Sequence, residues 1–267
     1  MFVESARPFL AAGLDGCRAG WVCAGWDGEA WSLTLLPDLS SVVPRLAPSA
    51  TVCIDIPIGL SDDGFRACDR DARQLLGPRR SSVFSVPPRL ALREASYAEI
   101  NAASKRHCGR GVSKQAFYLL PKIREAERLL RSSPERYAGW LETHPELCFY
   151  ALNGGIPMED NKKTDAGYRQ RLSLLEGQIS QNMLEDMLSR LAGESLRSHC
   201  TRDDMVDALV CGVVATLDAD RRACLPQHGE EYDAVGLPMR ICYPMTCLLY
   251  TSPSPRDATL SRMPSSA

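Results

Sequence analysis

Phe9-Leu-Ala-Ala-Gly-Leu-Asp15, Gly16-Cys-Arg-Ala-Gly20 and Trp21-Val-Cys-Ala-Gly-Trp26 read as a strand, a turn and a second strand. An apolar run of strand length ends on an acid, two glycines bracket a short turn, and an apolar run resumes. Asp27-Gly28 supplies another tight turn, and alternation from Ala30 to Leu36 adds a third antiparallel strand. A three-stranded meander therefore opens the chain. Leu39 to Leu46 reads as a short helix. Ala50-Thr-Val-Cys-Ile-Asp55 is apolar without alternation, as expected of a strand buried on both faces, and it too ends on an acid.

Working outward, residues 61–136 leave the strand pattern and predict helices over Phe65–Leu76, Tyr97–His107 and Lys114–Arg131, a helical insertion. Strand character returns at Gly139–His144, followed by a helical run through Leu152. Further helices are expected over Ala166–Glu176, Asn182–Leu191 and Arg202–Leu217, and Gly236–Tyr243 reads as a closing strand. The fold class is α/β: a mixed sheet of one antiparallel meander plus parallel strands, flanked by helices. Residues 1–244 form one domain. Residues 245–267, rich in Ser, Pro and Thr, have no periodicity and read as a non-native or disordered tail. Within it, Cys247-Leu-Leu-Tyr-Thr-Ser-Pro-Ser-Pro-Arg-Asp257 resembles a translated cloning sequence, a sequence artefact that carries no function.

The 267 residues are 45% hydrophobic and 24% charged, enough to bury one sizeable core, and no apolar run approaches the roughly 20 residues of a membrane span. The eleven cysteines are scattered without a Cys-x-x-Cys pair or a secretory leader, which predicts reduced, buried thiols in a soluble cytoplasmic protein. The four histidines are too dispersed to complete a zinc site.

Asp15 and Asp55 each end a buried strand, where α/β sheets usually present ligand-binding groups. In Arg202-Asp-Asp-Met-Val-Asp207-Ala-Leu-Val, Asp204 and Asp207 are three apart and share a helical face. The helix dipole accounts for acids in the first turn, Asp203 and Asp204. Asp207 lies deeper, between Val206 and an apolar run, and needs a partner. If these carboxylates converge, each pair repels by roughly 4 kcal/mol at about 4 Å and an effective dielectric of 20. Such a cluster protonates or binds cations. Oxygen-only ligands select Mg²⁺ or Mn²⁺, and metal-assisted phosphodiester hydrolysis follows as the expected chemistry, with Asp15, Asp55, Asp204 and Asp207 as ligands.

The insertion holds 16 Lys and Arg against 9 Asp and Glu, although the whole chain carries a formal charge of only -2. A basic lobe over an acidic site suits a nucleic-acid partner. Arg79, Arg80, Lys114 and Lys122 are the expected phosphate contacts, with Lys162 of the Lys162-Lys163 pair as a further clamp.

The meander, the strand-end acids and the Asp-x-x-Asp-Ala-Leu helix resemble the ribonuclease H-like superfamily. Within it, Gly13-Leu-Asp-Gly-Cys-Arg-Ala-Gly-Trp21, Ile54-Asp-Ile-Pro-Ile-Gly-Leu60, Cys68-Asp-Arg-Asp-Ala-Arg73, Arg80-Ser-Ser-Val-Phe84, His144-Pro-Glu146 and Gly236-Leu-Pro-Met-Arg240 resemble domain-of-unknown-function family 429, described as predicted nucleases of ribonuclease H fold. The resemblance runs from about residue 10 to 244. It implies a central metal-ligand role for Asp15, a second-strand role for Asp55, helix-acid roles for Asp204 and Asp207, and a catalytic role for Glu146. Two other readings fit parts of the pattern: a non-catalytic nucleic-acid-binding or partner-binding module on the same fold, and an ATP-binding fold of the actin and sugar-kinase type, which needs a second copy of the domain.

Overall fold

The computed structural model describes residues 7–93, 95–193 and 199–245. Strands β1 (Phe9–Cys17), β2 (Gly20–Trp26) and β3 (Trp31–Leu36) form the expected antiparallel meander. Strands β4 (Leu46–Asp55) and β5 (Trp140–Glu142) join in parallel beyond β1, giving the order β3-β2-β1-β4-β5. The result is a five-stranded mixed sheet flanked by helices. In the β1–β4 register Gly13 is paired with Cys53 and Asp15 with Asp55, so the two strand-end acids are neighbours on one face.

That face is covered by the helices α4 (Pro145–Leu152) and α7 (Arg202–Thr216), whose Leu147, Phe149, Leu209 and Val213 share a core with Ala11, Val22 and Cys53. The insertion contributes α1 (Ala67–Leu76), α2 (Tyr97–Cys108) and α3 (Lys114–Ser132). It packs on both sides of the sheet: α1 adds Cys68, Ala72 and Leu76 to the α7 side, while α3 sets Ile123, Ala126 and Leu130 against Leu14, Trp21, Val52 and Ile54 on the other. Helices α5 (Asp165–Glu176) and α6 (Gln181–Gly193) complete the α7 side. Side-chain caps fix several helix starts: Ser96 and Thr201 form capping boxes with Glu99 and Asp204, and Ser113 and Thr164 cap α3 and α5.

Three expectations need correction. The short helix over Leu39–Leu46 is two 3-10 turns, Leu39–Ser41 and Val43–Arg45, because Pro44 cannot continue the hydrogen-bond pattern of the first. The closing strand β7 is only Ile241–Pro244, since Val235 and Leu237 donate their N–H groups to Asp233 in a loop. Its partner β6 (Arg222–Leu225) was not expected as a strand. That pairing sets Cys224 opposite Cys242, with Cα atoms 4.1 Å apart, and the two form a disulfide. The thiols are therefore not all reduced. The expected tail, apart from Met245, lies outside the described residues. No helix among the described residues is long and apolar enough to cross a membrane.

Helix α7 crosses β1 at unusually close range because two glycines face each other there. A Cβ on Gly13 would lie 2.0 Å from the Gly212 nitrogen and 2.1 Å from the Ala208 oxygen, and one on Gly212 would meet the Trp31 ring at 2.7 Å. No backbone at the crossing can yield cheaply, and overpacking typically costs about 1–3 kcal/mol and sometimes more. Gly13→Val is accordingly expected to lower the urea midpoint by an amount worth about 3 kcal/mol or more. Gly177→Ala, where a Cβ would make only an ordinary 3.5 Å contact with the Leu174 carbonyl oxygen and φ is helical, should change stability by less than about 1 kcal/mol, so equal midpoints for the two variants would contradict the crossing.

Candidate functional site

At the ends of β1 and β4, Asp15 and Asp55 lie side by side beneath the first turns of α7, which bring in Asp204 and Asp207. Asp15 is 7% exposed and Asp207 2%. Burial, reinforced by the charges of Asp55, Asp207 and Asp204, holds the Asp15 carboxyl well above the ordinary carboxylate range. Burial likewise raises Asp55 and Asp204, and pushes Asp207 up to about 6.

The partner that Asp207 requires is Lys162, whose Nζ donates to Asp207 Oδ2. Burial disfavours this ammonium, but Asp207, Asp15 and Asp55 outweigh it and raise Lys162 above the ordinary lysine range. Lys162, expected to grip substrate, is paired with Asp207 at the cluster. Asp204 has a divided role: its Oδ2 accepts the Thr201 N–H at 2.7 Å in the capping box that starts α7, while its charge acts on Asp15.

Glu146 is not drawn into the carboxylate cluster. Its Oε1 accepts from Arg79 Nε at 2.8 Å and its Oε2 from Arg171 Nη2 at 2.7 Å, and both guanidiniums hold its pKa below the ordinary range despite burial. The same pairing occupies Arg79, another expected phosphate contact. Lys122 donates to the Gly20 carbonyl at 2.5 Å and lies 4.4 Å from the Trp21 ring centroid, half-buried. Arg80 and Lys114 are exposed. Basic side chains also line two grooves of the insertion that share Leu92: Arg93, Arg106 and His107 in one, Arg124, Arg128 and Arg131 in the other.

Sequence reasoning passed over a third strand-end acid. Glu142 ends β5, beside Ile54 in the register, and burial pushes its carboxyl up to about 7. Its Oε2 accepts the Ile58 N–H at 2.7 Å, and it pairs with Arg66, which also reaches Asp69 at 3.1 Å and the Gly59 carbonyl at 3.1 Å. This buried set fixes the loop after Asp55. The signal was available, since Glu142 stands at the end of an expected strand as Asp15 and Asp55 do.

The four aspartates offer only carboxylate oxygens, the donor chemistry of Mg²⁺ and Mn²⁺. As they stand, no three His, Cys, Asp or Glu side chains among the described residues are grouped closely enough to hold a metal ion. The donor chemistry suits such an ion while the spacing as it stands does not gather three of them around one, and Lys162 supplies the positive charge at Asp207. In comparisons with known proteins, a family model described as "Protein of unknown function (DUF429)" matches residues 13–231, and the chain belongs to that family. No curated protein and no solved structure matches it.

A raised carboxyl binds its proton more tightly in the folded state. Its stability contribution is full below the ordinary pKa of 3.8 and is lost as pH rises through the folded value, about 6 for Asp207. In chelator, Asp15→Asn should therefore melt higher than wild type near pH 7, each kcal/mol raising Tm by about 2–4 °C. The gap should close toward about pH 4, where the carboxyls are protonated in both. A constant gap across this range, measured by calorimetry, would show that charge is not its source.

Proposed function

We propose that this DUF429 family member is a metal-dependent nuclease, hydrolysing phosphodiester bonds with Mg²⁺ or Mn²⁺ held by Asp15, Asp55, Asp204 and Asp207. The observation that carries the reading is the register pair of Asp15 and Asp55 beneath Asp207: carboxyls from three elements brought together at the edge of the core, where Asp55 and Asp207 both raise the pKa of Asp15 and Asp55 raises that of Asp207. A turn cap explains one such acid, and the capping box explains part of Asp204. Neither explains Asp15 or Asp207.

A ribonuclease H-like identity for the sheet is part of the proposal. It is supported by the strand order β3-β2-β1-β4-β5, with an antiparallel first half and a parallel second half, and by an acid-bearing helix crossing the central strand. The actin-type reading needs a second such sheet, and the described residues contain one five-stranded sheet.

When bound, divalent metal supplies an activated water and charge stabilisation for the leaving oxygen. The chain's own groups do the rest. Asp15 and Asp55 fix the ligand oxygens at the rigid ends of two hydrogen-bonded strands, and the Glu142–Arg66 set holds the following loop. Arg93, Arg106, Arg128 and Arg131 offer charge to a phosphodiester backbone, so nucleic acid is the proposed substrate. A non-catalytic nucleic-acid-binding role draws on one observation, that Lys162 already neutralises Asp207.

A panel of labelled DNA, RNA and hybrid substrates separates these readings. Cleavage is expected with Mg²⁺ or Mn²⁺ and not with chelator, and Asp15→Asn should reduce it by more than the about 10–100-fold typical of losing an outer-shell partner. Binding without metal-dependent cleavage would favour the non-catalytic role. Paired charge reversal, Arg106→Glu with Arg128→Glu, should weaken substrate binding and flatten its salt dependence; an unchanged salt slope would remove the grooves from the binding surface.

A further inference from the structure

Lys162 reaches the carboxylates from outside the core. Its side chain is 40% exposed, whereas that of its partner Asp207 is 3% exposed. The backbone around it is firmly held. Arg171 Nη1 donates to the Asp160 carbonyl at 3.2 Å, and Arg202 Nη2 donates to the Lys163 carbonyl at 3.2 Å while Arg202 Nη1 pairs with Asp165 at 2.7 Å. Thr164 donates through both its N–H and its hydroxyl to the Asn161 carbonyl, then caps α5. Arg171 is itself fixed by Glu146, which gives that buried acid a positioning role. A rigid loop thus presents one flexible four-carbon arm, and its ammonium meets an acid cluster through a single hydrogen-bonded partner.

A buried structural salt bridge is expected to be closed on both sides and to have its remaining donors satisfied. The Lys162 side chain is 40% exposed along its length while its ammonium end is buried beside the acids, and Asp207 is its one hydrogen-bond acceptor among the described contacts. Its single charge acts on all four carboxyl groups, whose pKa values stay raised in spite of it. A divalent ion brings twice the charge and takes oxygens from several carboxylates at once, so the two cations compete for the same electrostatic well.

We propose that Lys162 is the resident counter-cation of the carboxylate cluster, displaced when divalent metal enters, and that this exchange sets the metal concentration at which the site fills. The proposal rests on the metal reading above. Leaving Asp207 moves the ammonium outward into solvent, where a substrate phosphate is its natural next partner. The expected phosphate role of Lys162 is then a feature of the metal-loaded state.

The test uses the full chain and Mn²⁺ as the probe. Lys162→Met should bind Mn²⁺ about tenfold or more tighter than wild type by calorimetry, and should melt lower than wild type in chelator. Lys163→Met, whose side chain is not at the cluster, should match wild type in both. On wild type alone, acylation of the Lys162 amine, read by mass spectrometry, should accelerate when Mn²⁺ saturates the protein, because the freed ammonium loses its carboxylate partners. This second measurement needs no variant to fold. If wild type binds Mn²⁺ while Lys162 acylation is unchanged, or if Lys162→Met binds Mn²⁺ no tighter, the exchange is overturned and the metal reading stands. If neither wild type nor Lys162→Met binds Mn²⁺, both fall.

Discussion

Where α7 crosses β1, the Gly13 backbone lies against Ala208 and Gly212 with no room for a side chain on either strand or helix. A helix brought this close places the carboxylate of Asp207, one residue before Ala208, over the end of the strand that carries Asp15. A side chain at Gly13 would lift α7 and separate the acids, and one at Gly212 would drive into the Trp31 ring. The same crossing explains why the apolar core and the aspartate cluster adjoin: Leu209, Val210 and Val213 continue directly from Asp207 into apolar packing.

That adjacency has an energetic cost. Carboxylates removed from water and set beside one another favour their protonated forms, and burial is the leading cause at each of Asp15, Asp55, Asp204 and Asp207. Lys162 offsets part of it. Around the cluster, other buried acids are fully paired, Glu142 with Arg66, Glu146 with Arg79 and Arg171, and Asp233 with Arg89. Those pairs hold loops and helices in place. The contrast separates these buried acids, matched by arginine and committed to structure, from the aspartates gathered around one lysine. Four carboxyl groups around a single lysine leave an electrostatic deficit that a diffusible cation could fill.

The sheet was largely legible because apolar runs of strand length, broken by Asp27-Gly28 and similar turns, have few alternative folds. The parallel β1–β4 pair could be anticipated from two uninterrupted apolar runs that end alike. The β6–β7 hairpin was not, since Arg222–Leu225 is four residues long and Gly236–Met239 folds back on Glu231–Asp233 rather than extending β7, so the Cys224–Cys242 bridge stayed hidden. At the site, the depth of Asp207 in an apolar helix announced a missing partner, yet no local pattern could identify it as a lysine 45 residues earlier. Glu146 was equally out of reach of local pattern. Its motif suggested chemistry, and its pairing with Arg79 and Arg171 is a tertiary contact that the motif does not announce.

The central claim is that the aspartate cluster is a divalent-metal site, and diffraction at a manganese absorption edge from crystals grown with Mn²⁺ tests it most directly. The account predicts an anomalous peak within about 2.0–2.4 Å of carboxylate oxygens of Asp15 and Asp55, with the Lys162 ammonium no longer on Asp207. Crystals with saturating Mn²⁺, no peak at these residues and Lys162 still donating to Asp207 would contradict it.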